Sequence, residues 1–186
     1  MKPSLVYGMS RISIALLIVL VFALGFYSGY MFASSEVVKL EEGNVVVAND
    51  RDLYNQLLYW LPRANKSIHI VMYLFKSDTD TIMNLANILV QKSKAGVDVR
   101  VIVEKSVSSN KYVYDYLSEA GVKVKYDEGK TTHCKLVIID SYIVIVGSHN
   151  WSYSAMMRNH EASIIIFNKD VASIEEEYFN SLWEKS

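Results

Sequence analysis

The sequence predicts an α/β domain, a mixed β-sheet flanked by helices on both faces, preceded by one transmembrane helix. Three observations carry that prediction. Along residues 45–186 short β-rich apolar runs alternate with segments of helical spacing. Gly96 and Gly121 stand just past two of those helical segments, where a glycine closes a helix. Ile12 to Ala33 holds no charged residue across 22 positions. The 186 residues therefore divide into a short segment 1–11, an apolar span 12–33, a polar linker 34–44 and a folded domain 45–186. A domain of that length can bury a real core.

The N-terminal span comes first. As a helix, 12–33 would be about 33 Å long, enough to cross a bilayer core. Lys2 and Arg11 precede it, while Glu36, Glu41 and Glu42 follow with only Lys39. The positive-inside rule then keeps residues 1–11 cytoplasmic and places the domain outside, as a single-pass protein of the cell membrane. The rival reading is a signal peptide cleaved near Ala33-Ser34-Ser35, which would leave a secreted protein. Gly25, Gly29 and Ala33 form a small-residue face on which two spans could pack.

Within the domain, Asp52–Leu61 has apolar residues at 53, 57, 58 and 61, with Asn49 or Asp50 as the expected cap. Ile68–Phe75 alternates as a strand. Asp78–Lys94 reads as a helix with Ile82, Leu85, Ala86 and Leu89 on one face. Val97–Val103 is a strand, Lys111–Ala120 a helix, and Val122–Tyr126 a strand. Leu136–Ile139 and Ile143–Val146 are apolar runs joined by the polar pair Asp140-Ser141, the pattern of a hairpin. Ala162–Phe167 follows as a strand and Val171–Trp183 as a closing helix, on which Glu175-Glu176-Glu177 reads as a solvated face.

The chemistry concentrates in a 29-residue stretch from His133 to Glu161. His133 and Lys135 lead into the strand on one face, and Cys134 and Leu136 on the other, toward the core. Gly147-Ser148 ends the next strand where backbone could approach a phosphate, and Asn150 brings an amide. A phosphodiester is an anion, so attack on phosphorus requires positive charge and donors around its oxygens. Lys135 supplies the charge; Asn150 and Ser148 supply donors. An imidazole is a good nucleophile near neutral pH when one ring nitrogen is held as N–H. Glu161 is the candidate partner for that N–H. Asp140 is counted with His133, Lys135, Asn150 and Glu161 in the catalytic set, its place at a strand end suggesting a less direct role, structural or in support of the groups that touch substrate. His69, in the alternating run Ile68–Phe75, reads as a strand position and not as a catalyst. No His, Cys, Asp and Glu cluster has convincing metal-ligand spacing, so no metal or cofactor is expected.

The string His133-x-Lys135-x-x-x-x-Asp140, followed by Gly147-Ser148-His149-Asn150 and by Glu161, resembles the signature of the phospholipase D superfamily. The resemblance covers about Val45 to Trp183. It implies a phospholipase D-like fold and a metal-independent phosphodiesterase in which His133 attacks phosphorus to give a phosphohistidine. A second histidine then protonates the leaving oxygen, and Lys135 and Asn150 hold the phosphoryl oxygens. Many members carry two such motifs; this chain has one, because His69, His149 and His160 lack a lysine two residues on. It is thereby similar to the small bacterial phospholipase D-like endonucleases and the mitochondrial cardiolipin hydrolase, in which a homodimer brings two motifs together. The resemblance thus implies a homodimer with its active site at the two-fold interface.

Charge bears on the substrate. Lys2 and Arg11 removed, the remainder has 17 Lys and Arg against 20 Asp and Glu. A net-acidic domain needs a local patch to hold nucleic acid, and Lys123, Lys125, Lys130 and Lys135 are the candidates. The same patch would suit anionic lipid. The preferred reading is a sequence-nonspecific endonuclease. A phospholipase D acting on membrane phospholipids such as cardiolipin is the first alternative, with Tyr112–Tyr116 and Trp151 as possible cleft residues. A non-catalytic nucleic-acid or membrane-binding module is the second. The lone Cys134 excludes an intrachain disulfide.

Overall fold

The computed structural model describes residues 11–33, 40–41, 43–77 and 79–186. It divides into two units, one up to Lys39 and one from Leu40 to Ser186. The first unit contributes helix α1, Arg11–Ala33. Its described side chains, such as Leu16, Phe22 and Phe26, are exposed. Among the described residues no helix is long and apolar enough to cross a membrane. The transmembrane helix expected over 12–33 is therefore not carried by the structure. The expected cytoplasmic segment, the alternative cleavage site at Ser34-Ser35 and most of the linker lie outside the described residues.

The second unit is built on one seven-stranded sheet. In chain order its strands are β1 (Val45–Asn49), β2 (Ser67–Met72), β3 (Asp98–Glu104), β4 (Lys123–Asp127), β5 (Lys135–Ile139), β6 (Ile143–Gly147) and β7 (Ala162–Phe167). Their spatial order is β1-β7-β6-β5-β2-β3-β4. β2, β3 and β4 run parallel, joined by helices α3 (Asp80–Lys94) and α4 (Lys111–Glu119). β5 joins β2 antiparallel, and β6, β7 and β1 continue antiparallel. The sheet is mixed, as the alternation of patterns predicts.

Helices cover both faces. α2 (Asp52–Trp60), α3 and α4 bury Leu57, Leu85, Leu89 and Leu117 against Ile70, Val101, Val137 and Ile145. α6 (Lys169–Trp183) covers the other face, where Ala172 and Phe179 meet Val71, Ile102, Leu136, Ile138 and Val144. Phe179 is fully buried, a contribution of about 1.5–3 kcal/mol. Gly96 ends α3 at φ 91°, and Val97 N–H returns to Lys92 C=O at 3.0 Å; only a residue without Cβ takes that turn freely.

Several local expectations are corrected. Neither Asn49 nor Asp50 caps α2: the capping position is Arg51, which makes no side-chain cap bond. Asp50 adopts φ 50° and turns its carboxylate to Glu161 instead. β1 and the short helix α5 (Tyr153–Met157) carry no periodicity by which to find them. Glu176 is not a solvated residue: its Oε2 lies 2.6 Å from His69 Nδ1 and its Oε1 accepts from Ser141 Oγ at 3.1 Å. Cys134 is half-buried beside Tyr178 rather than in the core.

Candidate active site

The topology delivers the site to one rim of the sheet. β2 and β3 end there, β5 begins beside the end of β2, β6 ends there, β7 begins there and β1 ends beside it. Tyr73, Glu104, His133, Lys135, Ser148, Asn150, Glu161 and Asp50 therefore share that rim although up to 111 positions separate them.

Buried polar side chains fix the loops that meet there. Asn110 is fully buried. Its Oδ1 accepts from Phe75 N–H at 2.8 Å, and its Nδ2 donates to the carbonyls of Tyr73 and Glu104 at 2.9 and 2.8 Å. Glu104, 3% exposed, accepts from Thr132 N–H at 2.7 Å and so holds the approach to His133. Burial pushes the Glu104 carboxyl up, but hydrogen bonds from Ser106 and Thr132 outweigh it and hold the group below its usual range. Trp151 is buried against Phe75, its ring centroid 4.7 Å away. It belongs to the core and not to a cleft mouth.

His133 is exposed, whereas Lys135 is buried at 9% exposure. Lys135 Nζ donates to the His133 carbonyl at 2.8 Å and lies 3.1 Å from ring Nδ1. Burial lowers the Lys135 pKa, Cys134 and Glu161 work against that, and the net direction is down. A bound anion would restore the protonated form. Tyr73 completes the group: its ring centroid is 4.6 Å from that of His133 and 5.1 Å from Lys135 Nζ. Tyr73 is a site residue that sequence reasoning missed. Its signal was slight, a tyrosine at the end of an apolar strand that the pairing of β2 with β5 brings beside the motif.

Asn150 is half-buried, and its Oδ1 is buried without a hydrogen-bond partner. Such an atom costs about 1–3 kcal/mol when left unpaired. As an acceptor it cannot pair with a phosphoryl oxygen; only the Nδ2 amide of Asn150 can donate to one.

Other expected roles change. Glu161 makes no described contact with His133. Its carboxylate accepts from Ser148 Oγ and, at 3.0 Å, from Asn159 Nδ2, while its N–H donates to Asp50 Oδ1 at 2.9 Å. Ser148 Oγ also accepts from Ala162 N–H at 3.1 Å, so its hydroxyl proton is spent on Glu161 rather than kept for a phosphate. Both belong to a brace between the β6 and β7 ends. Gly147 is required by the same brace: an added Cβ would lie 2.1 Å from Ser163 Oγ and 2.3 Å from Ala162 O. The close approach is by strand β7.

Asp140 stands at the opposite rim, after the five residues of β5, roughly 20 Å along the strand from His133. It does not join the catalytic group. Its carboxylate accepts backbone N–H bonds from Asn65, Lys66 and Ser67 at 2.7–3.0 Å.

The other histidines lie apart from His133. His69 is under α6, its ring stacked on Phe179 at 4.6 Å. His149 is buried, with Nδ1 2.7 Å from Ser163 Oγ and Nε2 2.9 Å from the Asp50 carbonyl. His160 is exposed beside Asp50. The lysine patch is smaller than expected. Lys123 pairs with Asp98 at 2.8 Å, and Lys125 donates to the Trp183 carbonyl at 2.7 Å. Among the described residues no group of three His, Cys, Asp or Glu is placed to hold a metal ion.

Comparison with known proteins identifies the family of the domain that carries this rim. The family model "Cardiolipin synthase, PLD-like domain" matches residues 57–183. The chain belongs to this phospholipase D-like family. The mitochondrial cardiolipin hydrolase of Xenopus tropicalis is 27% identical over 134 residues, 71% of this chain and 61% of that protein. The major cardiolipin synthase of Bacillus subtilis is 31% identical over 134 residues, 64% of this chain and 28% of that protein. Among solved structures, the phospholipase D family member Nuc of Salmonella typhimurium aligns with a TM-score of 0.68 at 23% identity, covering 76% of this chain and 94% of that one. NucT of Helicobacter pylori aligns at 0.64 and 23% identity, covering 76% and 97%. These two likenesses concern the fold. The chain spans about three fifths of the length of the cardiolipin hydrolase it matches.

Proposed function

We propose that this chain is a metal-independent phosphodiesterase working through a phosphohistidine, and that it acts as a sequence-nonspecific endonuclease. The observation that carries the reading is Lys135. A buried ammonium with one contact to the His133 carbonyl and another to its ring sets a cation beside a nucleophile at an open rim. In the first step an imidazole nitrogen of His133 bonds to phosphorus and the leaving oxygen departs with a proton from an acid. In the second, water attacks phosphorus, the acid recovers a proton from that water, and the P–N bond breaks. Lys135 and Asn150 bear the charge on the phosphoryl oxygens.

Among the described residues no second histidine touches His133, so the acid comes from a second copy of the chain. A homodimer with its active site on the two-fold axis provides it. Exposed apolar Val47, Val146 and Ile164, on the strands that border Ser148 and Glu161, are the surface for this pairing.

The test is a parallel assay of the full chain on plasmid DNA, RNA and labelled phospholipid in excess EDTA. DNA or RNA cleavage, lost on His133→Ala and dominantly lowered by mixing with His133→Ala chains, is the expected result. Metal-dependent turnover, or His133→Ala at near-normal rate, refutes it. The exposed apolar side chains of α1 favour the second reading, a phospholipase D on membrane lipids such as cardiolipin; lipid cleavage without nucleic-acid cleavage would select it.

A further inference from the structure

On the α6 side of the segment that carries His133 lies a cavity of about 490 Å³, lined in part by Lys130, Thr131, Tyr178 and Lys185. That volume falls within the roughly 300–1,000 Å³ of small-ligand sites. Lys130 and Lys185 are exposed and make no ion pair among the described residues. This sets them apart from Lys123 and Lys125, which the fold has used. The one acid in the lining, Asp127, is 9% exposed, and its Oδ1 accepts from Gly129 N–H at 3.1 Å. Two ammonium groups therefore face one carboxylate already engaged with its own loop. Tyr178 keeps its phenol proton, its pKa pushed up to about 12 by the contact with Cys134 and by burial. It stands at the wall as a neutral hydroxyl.

We infer that this cavity is a second phosphate subsite, which holds a phosphate of the nucleic-acid strand next to the one under attack. The inference rests on the nuclease reading above. Lys130 and His133 are three residues apart, at most about 10 Å of extended chain, and Cys134, the residue after His133, lies 3.5 Å from the Tyr178 hydroxyl. A strand crossing residues 130–134 would thus set one phosphate at His133 and Lys135 and a neighbour between Lys130 and Lys185. The hydroxyls of Thr131 and Tyr178 add neutral donors. The two cations come from different elements, a loop after β4 and the end of α6, and the sequence does not bring them together.

The test is equilibrium binding of a fluorescent single-stranded oligonucleotide to the full chain in a His133→Ala background, which prevents cleavage. Lys130→Ala with Lys185→Ala should weaken binding about tenfold at physiological salt. The slope of log K against log salt should shrink by about 1.4, from two lost contacts on single-stranded nucleic acid. The charge-matched control, Lys66→Ala with Lys94→Ala, alters exposed positions at the opposite rim and should bind within twofold of the parent. The inference is overturned by unchanged affinity and slope, by equal loss in the control, or by no binding of the oligonucleotide at all. It is also overturned if the double variant loses only its binding to phosphatidylglycerol vesicles, which would assign the cavity to a lipid headgroup. Failure of the nuclease reading is separable: that reading falls if the unsubstituted chain cuts no nucleic acid, whether or not the cavity binds it.

Discussion

Replacing Asp140 should cost stability and not chemistry. Its carboxylate accepts from the N–H groups of Asn65, Lys66 and Ser67, the last of these partly buried. A hydrogen bond to a charged partner is worth about 1.5–3 kcal/mol net when water cannot replace it. Asn65 and Lys66 are exposed and regain most of that from water, so the Ser67 bond dominates, at about 2 kcal/mol. Asp140 also sits at φ 55°, where alanine costs roughly a further 1 kcal/mol. Asp140→Ala should therefore lose about 3 kcal/mol, near 10 °C in Tm for a domain of this size. Asp140→Asn keeps an acceptor and tolerates the left-handed turn, and should lose about half as much. Urea unfolding of the full chain followed by tryptophan fluorescence measures this, with kcat taken at a temperature where both variants are folded. An Asp140→Ala protein that unfolds at the wild-type midpoint yet has lost turnover would refute the reasoning and return Asp140 to the catalytic group.

Gly147→Ala forces a Cβ into the Ser163 backbone, 2.5 Å from its Cα. It should destabilise by about 2–3 kcal/mol and also lower activity, because Ser148 and Asn150 follow directly; calorimetry with an activity assay checks both. Burial pushes the Asp98 carboxyl up, but hydrogen bonds from Lys123 and Arg100 bring it down from 3.8 to about 2. Its stabilisation, about 1–2 kcal/mol after allowance for partial exposure, is full above pH 3.8 and lost as pH falls toward 2. Unfolding curves of wild type and Asp98→Asn should differ at pH 7 and converge near pH 2. Glu176→Ala removes the 2.6 Å contact to His69 and leaves a buried imidazole short of a partner. A loss of about 1–3 kcal/mol in chemical unfolding is expected, with kcat unchanged, since Glu176 meets His69 and Ser141 and none of the rim residues.

β2, β3 and helices α3 and α6 were readable because their patterns are long enough to reveal a buried face. β5 and β6 have only five residues each, but they are apolar runs joined by a polar turn, which marks a hairpin. β1, equally short, is an edge strand with one buried residue and no hairpin partner beside it in the sequence. Its place is set by pairing with β7, more than 110 positions away. At the site, the residue types were legible and the partnerships were not. His133 with Lys135 follows from strand alternation alone. The turn of Glu161 toward Ser148 and Asn159 depends on where β7 starts relative to β6, which no local rule encodes. Lys123 and Lys125 looked free because their partners, Asp98 and the α6 terminus, are brought to them only by the parallel order of β3 and β4 and by the return of the last helix.

The position of Asp140 gives the motif a second meaning. Lys135 is the first residue of β5 and Asp140 follows its last, Ile139. The four residues between them count out a strand. The histidine and lysine state what the site can do; the distance to the aspartate states how wide the sheet is between its two rims. An inserted residue would leave every chemical group in place by name and still turn the aspartate out of reach of the chain it ties down. The eight-letter string is thus part reagent and part ruler, and its second half would be expected in any chain that mounts this site on a strand of five, whatever that chain cuts.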